Sequence, residues 1–206
     1  MSIADEVGGG RREQTKAANR AAILEAARDV FCEMGYGSAS VRDVIRRTDL
    51  ASGTFYNYFP DKESLFRALV EEHAVEIRAR VQAARRDARS LEAFVAAGYR
   101  EYFAFLASEP EAFELMRRNS GTIRAMFDEP VFGAGVEELA ADLRGAIKLG
   151  IVPPLDPEYM AAAMVGAALE ISVEMLNRAP PDVDGATRFA TAVFLGGIEH
   201  LGQSST

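Results

Sequence analysis

The chain has 206 residues and a mass of 22.4 kDa, with 49% hydrophobic and 26% charged side chains, a composition that is typical of a soluble globular protein and excludes collagen, coiled-coil rods and extended disorder. The formal net charge is −8, from 23 basic and 31 acidic residues, which argues against a protein that coats nucleic acid or anionic lipid non-specifically. Residues 1–59 carry eight basic and eight acidic side chains, so the excess negative charge lies on residues 60–206 and a locally basic face can form near the N-terminus.

The N-terminal segment is predicted to be a flexible tail over residues 1–14, because three glycines followed by two arginines give it charge without apolar periodicity. It also lacks the apolar run of a signal peptide. The first helix is predicted over about residues 15–34, and Gly35 supplies the left-handed residue that ends it. The single cysteine, Cys32, allows no intramolecular disulfide and favours a reducing, cytoplasmic compartment, where it acts as a small core residue.

Two short helices separated by a three-residue turn are predicted next. Ser40 and Asp43 have the spacing of a capping box, in which the hydroxyl accepts from the third amide and the carboxylate reaches back. The second short helix spans about residues 52–58 and is stopped by Phe59-Pro60. Helices this short are unstable alone, so they must pack into one compact unit. With a supporting helix before them, they form the pattern of a helix-turn-helix, whose second helix enters the major groove.

The composition of the second short helix fits contact with DNA. It contains no acidic residue, Phe55 and Phe59 can face the core, and Gly53 lets the backbone approach DNA closely. Small or hydrogen-bonding groups are offered by Ser52, Thr54, Tyr56, Asn57 and Tyr58. The alternative is a small helical packing module whose tyrosines are half-buried and whose arginines form a solvated face.

Residues 20–70, and above all the run from Gly53 to Leu65, resemble the DNA-binding domain of TetR-family transcriptional regulators. The resemblance covers about a quarter of the chain. Two positions depart from the family pattern: Asp49 replaces the usual turn glycine, and Ala51 replaces the serine or threonine before the recognition helix. We therefore expect Asp49 to tolerate a positive φ, and the cap to come from Ser52 or Asp49.

The resemblance implies a set of DNA contacts. Arg42 and the amide end of the helix that starts near Ser40 are expected to hold phosphate, as is Lys62 at the start of the fourth helix. Asn57 is a candidate reader of adenine. The residues expected to face the groove or the backbone are Ser52, Gly53, Thr54, Tyr56, Asn57 and Tyr58.

The rest of the chain is predicted to be helical as well, and the whole fold to be all-α with about nine helices. Asp61 caps a long fourth helix that would span about 40 Å. The predicted helices cover about 62–88, 91–108, 110–119, 136–149, 156–178 and 184–201, with a less regular section over 121–135. We expect three parts: a tail (1–14), a helix-turn-helix DNA-binding domain (15–62), and an effector-binding and dimerisation domain (63–206).

Aromatic and methionine side chains are dense between residues 94 and 132, as in pockets for apolar ligands, although for each residue taken alone an ordinary core position is the favoured explanation. Arg117 could meet a carboxylate at the pocket mouth or simply be exposed. Residues 117–143 are faintly similar to lipid-responsive members of the family. The candidate ligand-binding residues are Tyr102, Phe103, Leu106, Phe113, Met116, Arg117, Met126, Phe127, Met164 and Ile171.

The last two helices are apolar on nearly every side, which indicates burial in a core or in a subunit interface. Their uncharged runs fall short of the roughly 18 residues that a membrane helix needs. We expect them to form a four-helix interface with a second copy of the chain, giving a twofold dimer that reads a palindromic DNA site. The expected interface residues are Met160, Met164, Ala168, Phe194, Ile198 and Leu201.

No motif proposes catalysis, a cofactor or a metal. His73 and His200 belong to no metal-ligand spacing, and no nucleophile elbow or phosphate-binding loop is present. The sequence therefore favours a cytoplasmic one-component transcriptional repressor, a homodimer that binds a palindromic operator and is released by a hydrophobic or amphipathic small molecule. The alternatives are a helical ligand-binding protein without operator binding, and a small all-α enzyme, for which no acid/base constellation is found.

Overall fold

The computed structural model describes the backbone of residues 3–125 and 130–204, and the side chains of residues 12–119, 121–123, 125 and 133–201. Within these ranges the fold is all-α, as predicted, with ten helices and no strand. The helices are α1 (Ile3–Ser38), α2 (Val41–Ile45), α3 (Ser52–Tyr56), α4 (Lys62–Arg85), α5 (Leu91–Ser108), α6 (Pro110–Arg118), α7 (Ser120–Ala125), α8 (Pro130–Lys148), α9 (Pro157–Leu176) and α10 (Val183–Ser204).

The helices differ from the prediction at the start of α1 and in the section between α6 and α8. The backbone is helical from Ile3, so the expected start near Thr15 is wrong. The section expected to be irregular contains α7 and the first turns of α8, which raises the count to ten. Gly35 ends the regular part of α1 with a φ of +74°, a conformation open to glycine, and this prediction is confirmed.

The chain forms two compact units. The first contains residues 1–72 and, far along the sequence, residues 114–123; the second contains residues 73–113 and 124–206. Compact units need not coincide with functional domains, so the predicted boundaries at 14/15 and 62/63 stay predictions.

The core of the first unit is aromatic. Phe31 of α1 and Phe66 of α4 are fully buried and meet edge to face, with ring centroids 5.2 Å apart. Phe55 of α3 is buried as well, so α3, too short to be stable alone, is held by packing. Val44 of α2 is buried too, so each of the two short helices contributes one buried side chain to this unit.

The second unit is built around an apolar cluster from α5, α8, α9 and α10. Tyr99 stacks between Phe103 and Phe194, with centroid distances of 5.8 and 5.9 Å. Among the described helices, α9 alone is long and apolar enough to cross a membrane, judged by length and composition. Since Met164, Ala168 and other α9 residues pack in the cluster, α9 behaves here as a core helix.

Candidate DNA-binding and effector sites

The start of α2 carries the predicted capping box. The Ser40 hydroxyl accepts from the Asp43 amide at 3.4 Å, and the Asp43 carboxylate accepts from the Ser40 amide at 3.0 Å and its hydroxyl at 2.6 Å. These hydrogen bonds from Ser40 hold the pKa of Asp43 below its usual value. The cap thus fixes the helix end that the family resemblance assigns to phosphate binding.

The turn and the start of α3 differ from expectation. The N-cap is Ala51, and no side chain caps the helix, so the expected cap from Ser52 or Asp49 is wrong. Asp49 does not have a positive φ either, since among the described residues only Gly35 and Gly150 do. The turn is closed instead by backbone bonds and by Thr48, whose hydroxyl donates to the carbonyl of Ile45 at 3.0 Å.

The structure orients α3 as the sequence predicted. Phe55 and Phe59 are buried, and the Tyr56 side chain is 56% exposed. A Cβ built on Gly53 would meet nothing within 4 Å, so the backbone there is open to a close partner. Of the candidate DNA contacts, Ser40, Arg42, Ser52, Gly53, Tyr56 and Asn57 are exposed, whereas Thr54, Tyr58 and Lys62 are partly buried.

Lys62 is engaged within the protein. Its ammonium group donates to the carbonyl oxygens of Tyr36 at 2.7 Å and of Ala39 at 2.9 Å, and lies 4.2 Å from the centroid of the Tyr36 ring. These carbonyls belong to the turn that leads from α1 into α2. Lys62 therefore positions the start of α2 in addition to any contact with phosphate.

The same turn receives contacts that the sequence analysis missed. The Asn119 side chain, 4% exposed, accepts from the Tyr36 amide at 2.6 Å and donates to the Leu115 carbonyl at 2.8 Å. Arg118 donates to the Glu33 carbonyl at 2.7 Å. Because 83 residues separate Asn119 from Tyr36, no local pattern could have indicated the contact.

Most candidate ligand-binding residues lie in the second unit. Phe103, Leu106, Phe113 and Met164 are buried there. Tyr102 and Ile171 pack against the same apolar cluster, and burial raises the pKa of Tyr102, opposed by its hydrogen bond with Ser172. Met116 and Arg117 belong to the first unit, and Met126 and Phe127 lie outside the described residues.

Arg117 already has a partner. Its guanidinium makes two hydrogen bonds to Glu114, at 2.8 and 2.7 Å, and these bonds hold the pKa of Glu114 below its usual value. Any acidic ligand at Arg117 has to compete with this carboxylate.

Arg85 of α4 is a cation in the second unit that the sequence analysis missed. Its guanidinium lies 4.7 Å from the centroid of the Phe94 ring, and its Nε is buried without a hydrogen-bond acceptor among the described residues. Burial lowers its pKa, opposed chiefly by the charge of Asp142. An arginine at the end of an amphipathic helix gives no sequence signal that separates this placement from an exposed one.

The expected dimer residues are largely internal. Met164, Ala168, Phe194 and Ile198 are at most 9% exposed within the protomer, and their assignment to an interface between two chains stays a prediction. Met160 is partly buried and Leu201 is 44% exposed. The apolar side chains that α9 and α10 do expose include Tyr159 at 79%, Phe189 at 62% and Val193 at 50%.

The described part of the chain contains no group of three His, Cys, Asp or Glu side chains placed to hold a metal ion.

Comparison with known proteins gives a family match and several similar folds. Residues 23–69 match the family model for bacterial regulatory proteins of the tetR family. The fatty acid degradation regulator FadR from Bacillus halodurans superposes with a TM-score of 0.75 at 20% identity, over 87% of this chain and 95% of that chain. FadR from Bacillus subtilis, in complex with stearoyl-CoA, gives 0.69 at 20% identity, over 86% and 98%. A TetR-family regulator from Pectobacterium atrosepticum gives 0.56 at 26% identity, over 86% and 90%.

Proposed function

The chain belongs to the TetR family of bacterial regulatory proteins, and on this premise we propose that it is a cytoplasmic repressor that binds a palindromic operator as a homodimer and leaves it when a hydrophobic or amphipathic effector binds. The proposal rests chiefly on the composition and exposure of α3. This helix is free of acidic residues, is anchored by buried Phe55, and presents exposed Ser52, Gly53 and Tyr56. An acid-free polar surface on a helix-turn-helix is suited to the major groove.

The effector proposed here carries an apolar chain and an acidic group. The second unit offers aromatic and methionine side chains for the chain, and Arg85, whose Nε lacks an acceptor among the described residues, is a better candidate for the acidic group than Arg117, which is paired with Glu114. The stearoyl-CoA bound by the B. subtilis regulator has both features. We therefore infer a long-chain acyl compound.

A hydrogen-bonded path supports transmission of the effector signal. Asn119 accepts from the Tyr36 amide, and Lys62 joins the carbonyls of Tyr36 and Ala39, directly before the α2 cap at Ser40. The chain on either side of residues 114–123 belongs to the second unit. If effector binding to the second unit displaces residues 114–123, the hydrogen bond from the Tyr36 amide to Asn119 changes, and with it the turn before α2. We expect a coupling energy between effector binding and DNA binding of about 1–3 kcal/mol.

Operator selection from random duplexes, at two salt concentrations, tests the proposal. We expect a palindrome, bound by two chains and released by long-chain acyl-CoA. Tyr56→Ala should weaken operator binding about tenfold, a loss of about 1.4 kcal/mol. The matched control is Tyr159→Ala, an exposed tyrosine of α9, which should leave operator affinity unchanged.

Absence of any enriched sequence, with folded dimeric protein, would contradict the proposal. Effector binding under those conditions would favour a helical ligand-binding protein without an operator.

A further inference from the structure

The side chains on the first described turns of α1 are exposed on every side of the helix. Every residue from 12 to 18 is exposed, so no face of the helix is covered there, and burial begins only at Ile23, which is fully buried. The two helical turns over residues 12–18 gain no stability from tertiary packing. A partner bound to these turns would supply the contacts that the protein itself does not make there.

The face of α1 that continues beyond the core is basic. At about 100° per residue, Arg12, Lys16, Asn19 and Ile23 lie within about 60° of arc. Neither Arg12 nor Lys16 forms an ion pair or hydrogen bond with the described part of the chain. Residues 11–20 contain four basic side chains and one acidic side chain, Glu13.

Asn19 connects this face to the end of the recognition helix. Its side-chain amide donates to the hydroxyl of Tyr58 at 3.3 Å. With a rise of about 1.5 Å per residue, Lys16 lies about 4.5 Å and Arg12 about 10.5 Å farther along the axis. The two cations therefore extend outward from the side of the unit on which Tyr58 lies.

We propose that Arg12 and Lys16 contact backbone phosphates of the DNA that flanks the half-site read by α3. The inference rests on the proposed operator binding, and the ligand chemistry is that of a duplex backbone, which carries one negative charge about every 3.4 Å along each strand. Such contacts increase affinity and hold the protein on DNA without reading sequence.

The test is the salt dependence of operator affinity for the double variant Arg12→Gln/Lys16→Gln. Each lost phosphate contact reduces the slope of log K against log salt by about 1, so the slope for a dimer should fall by about 4. The loss should be uniform across operator variants, because no base contact is removed. Trimming the duplex to the selected palindrome should abolish the difference from wild type.

The charge-matched control is Arg86→Gln/Arg89→Gln, two exposed arginines of the second unit, for which we expect the wild-type slope. The changed positions are exposed, and an unchanged urea transition confirms folding. Wild-type operator binding with an unchanged slope in the Arg12/Lys16 variant overturns this inference alone. If wild type selects no operator, the proposed function fails, and this inference fails with it.

Discussion

The guanidinium of Arg85 occupies the space that a side chain at Gly98 would fill: a Cβ built on Gly98 would lie 2.5 Å from Nη2 and 2.8 Å from Cζ of Arg85. Real Cβ atoms do not approach other atoms so closely. The absence of a side chain on α5 thus allows Arg85 to lie over the helix and against Phe94.

Gly98→Ala should displace Arg85 rather than unfold the second unit. Alanine is favoured over glycine inside a helix by up to about 1 kcal/mol, but displacement of the guanidinium from Phe94 costs about 0.5–1 kcal/mol. Gly98→Ala should therefore increase the free energy of unfolding only when Arg85 has also been replaced by alanine. Urea unfolding of the four variants should give a coupling energy of about 1 kcal/mol.

Gly145→Ala serves as the control for this cycle, because a Cβ on Gly145 meets nothing within 4 Å. It should change stability equally in both backgrounds. A coupling of zero between positions 85 and 98 would show that the guanidinium lies elsewhere in solution.

Lys62→Met should destabilise the protein in the absence of DNA. The variant removes two hydrogen bonds from a charged donor to the carbonyls of Tyr36 and Ala39, and bonds of this kind contribute about 1.5–3 kcal/mol. Denaturant unfolding of the free protein measures the loss. A lysine that only binds phosphate would leave stability unchanged and alter the salt slope alone. Arg86→Ala, at an exposed basic residue of the second unit, is the control and should leave stability unchanged.

The capping box makes part of the stability dependent on pH. Hydrogen bonds from Ser40 keep the pKa of Asp43 lower in the folded than in the unfolded protein, where an aspartate titrates at about 3.9. The stabilisation is therefore complete above about pH 5 and is lost as the pH falls through about 4 and below. Asp43→Asn should flatten stability against pH in that range.

Ser40→Ala should flatten the same curve, because it removes the hydroxyl that donates to Asp43. Asp61 will keep a residual slope in both variants, since hydrogen bonds from Ser64 also lower its pKa. If Asp43→Asn leaves the loss of stability below about pH 5 unchanged, the Asp43 carboxylate does not accept these hydrogen bonds in solution.

Phe189→Asp/Val193→Asp should convert the proposed dimer to monomers. Both side chains lie on the exposed face of α10, one turn apart, and charges there would have to be desolvated on association. Sedimentation equilibrium at micromolar concentration measures the change. Leu149→Asp, an exposed apolar residue outside α9 and α10, should leave the dimer intact, and dimers of the α10 variant would place the interface on another face.

The helix-turn-helix could be predicted because its signals are local. Ser40 and Asp43 are three residues apart, and Gly35 needs only its own backbone conformation. The inward face of α9 and α10 could not be predicted, because helices that are apolar all round carry no periodicity to mark it. Met164 and Ile198, which the sequence predicts to lie in an interface between two chains, are buried within the protomer. The contact of Asn119 with Tyr36 depends on the folded chain and has no local signature.

The first unit is discontinuous in sequence, because it takes Asn119 from a segment far beyond α4. A fragment that ends after α4, or a chimera that joins these N-terminal helices to another protein's effector half, would leave the Tyr36 amide without this acceptor. Because this amide is partly buried, loss of its acceptor costs about 1 kcal/mol. We therefore expect chimeras with a single crossover to be less stable at the turn before α2. Exchange of the N-terminal helices between proteins should preserve stability only when residues 114–123 are exchanged with them.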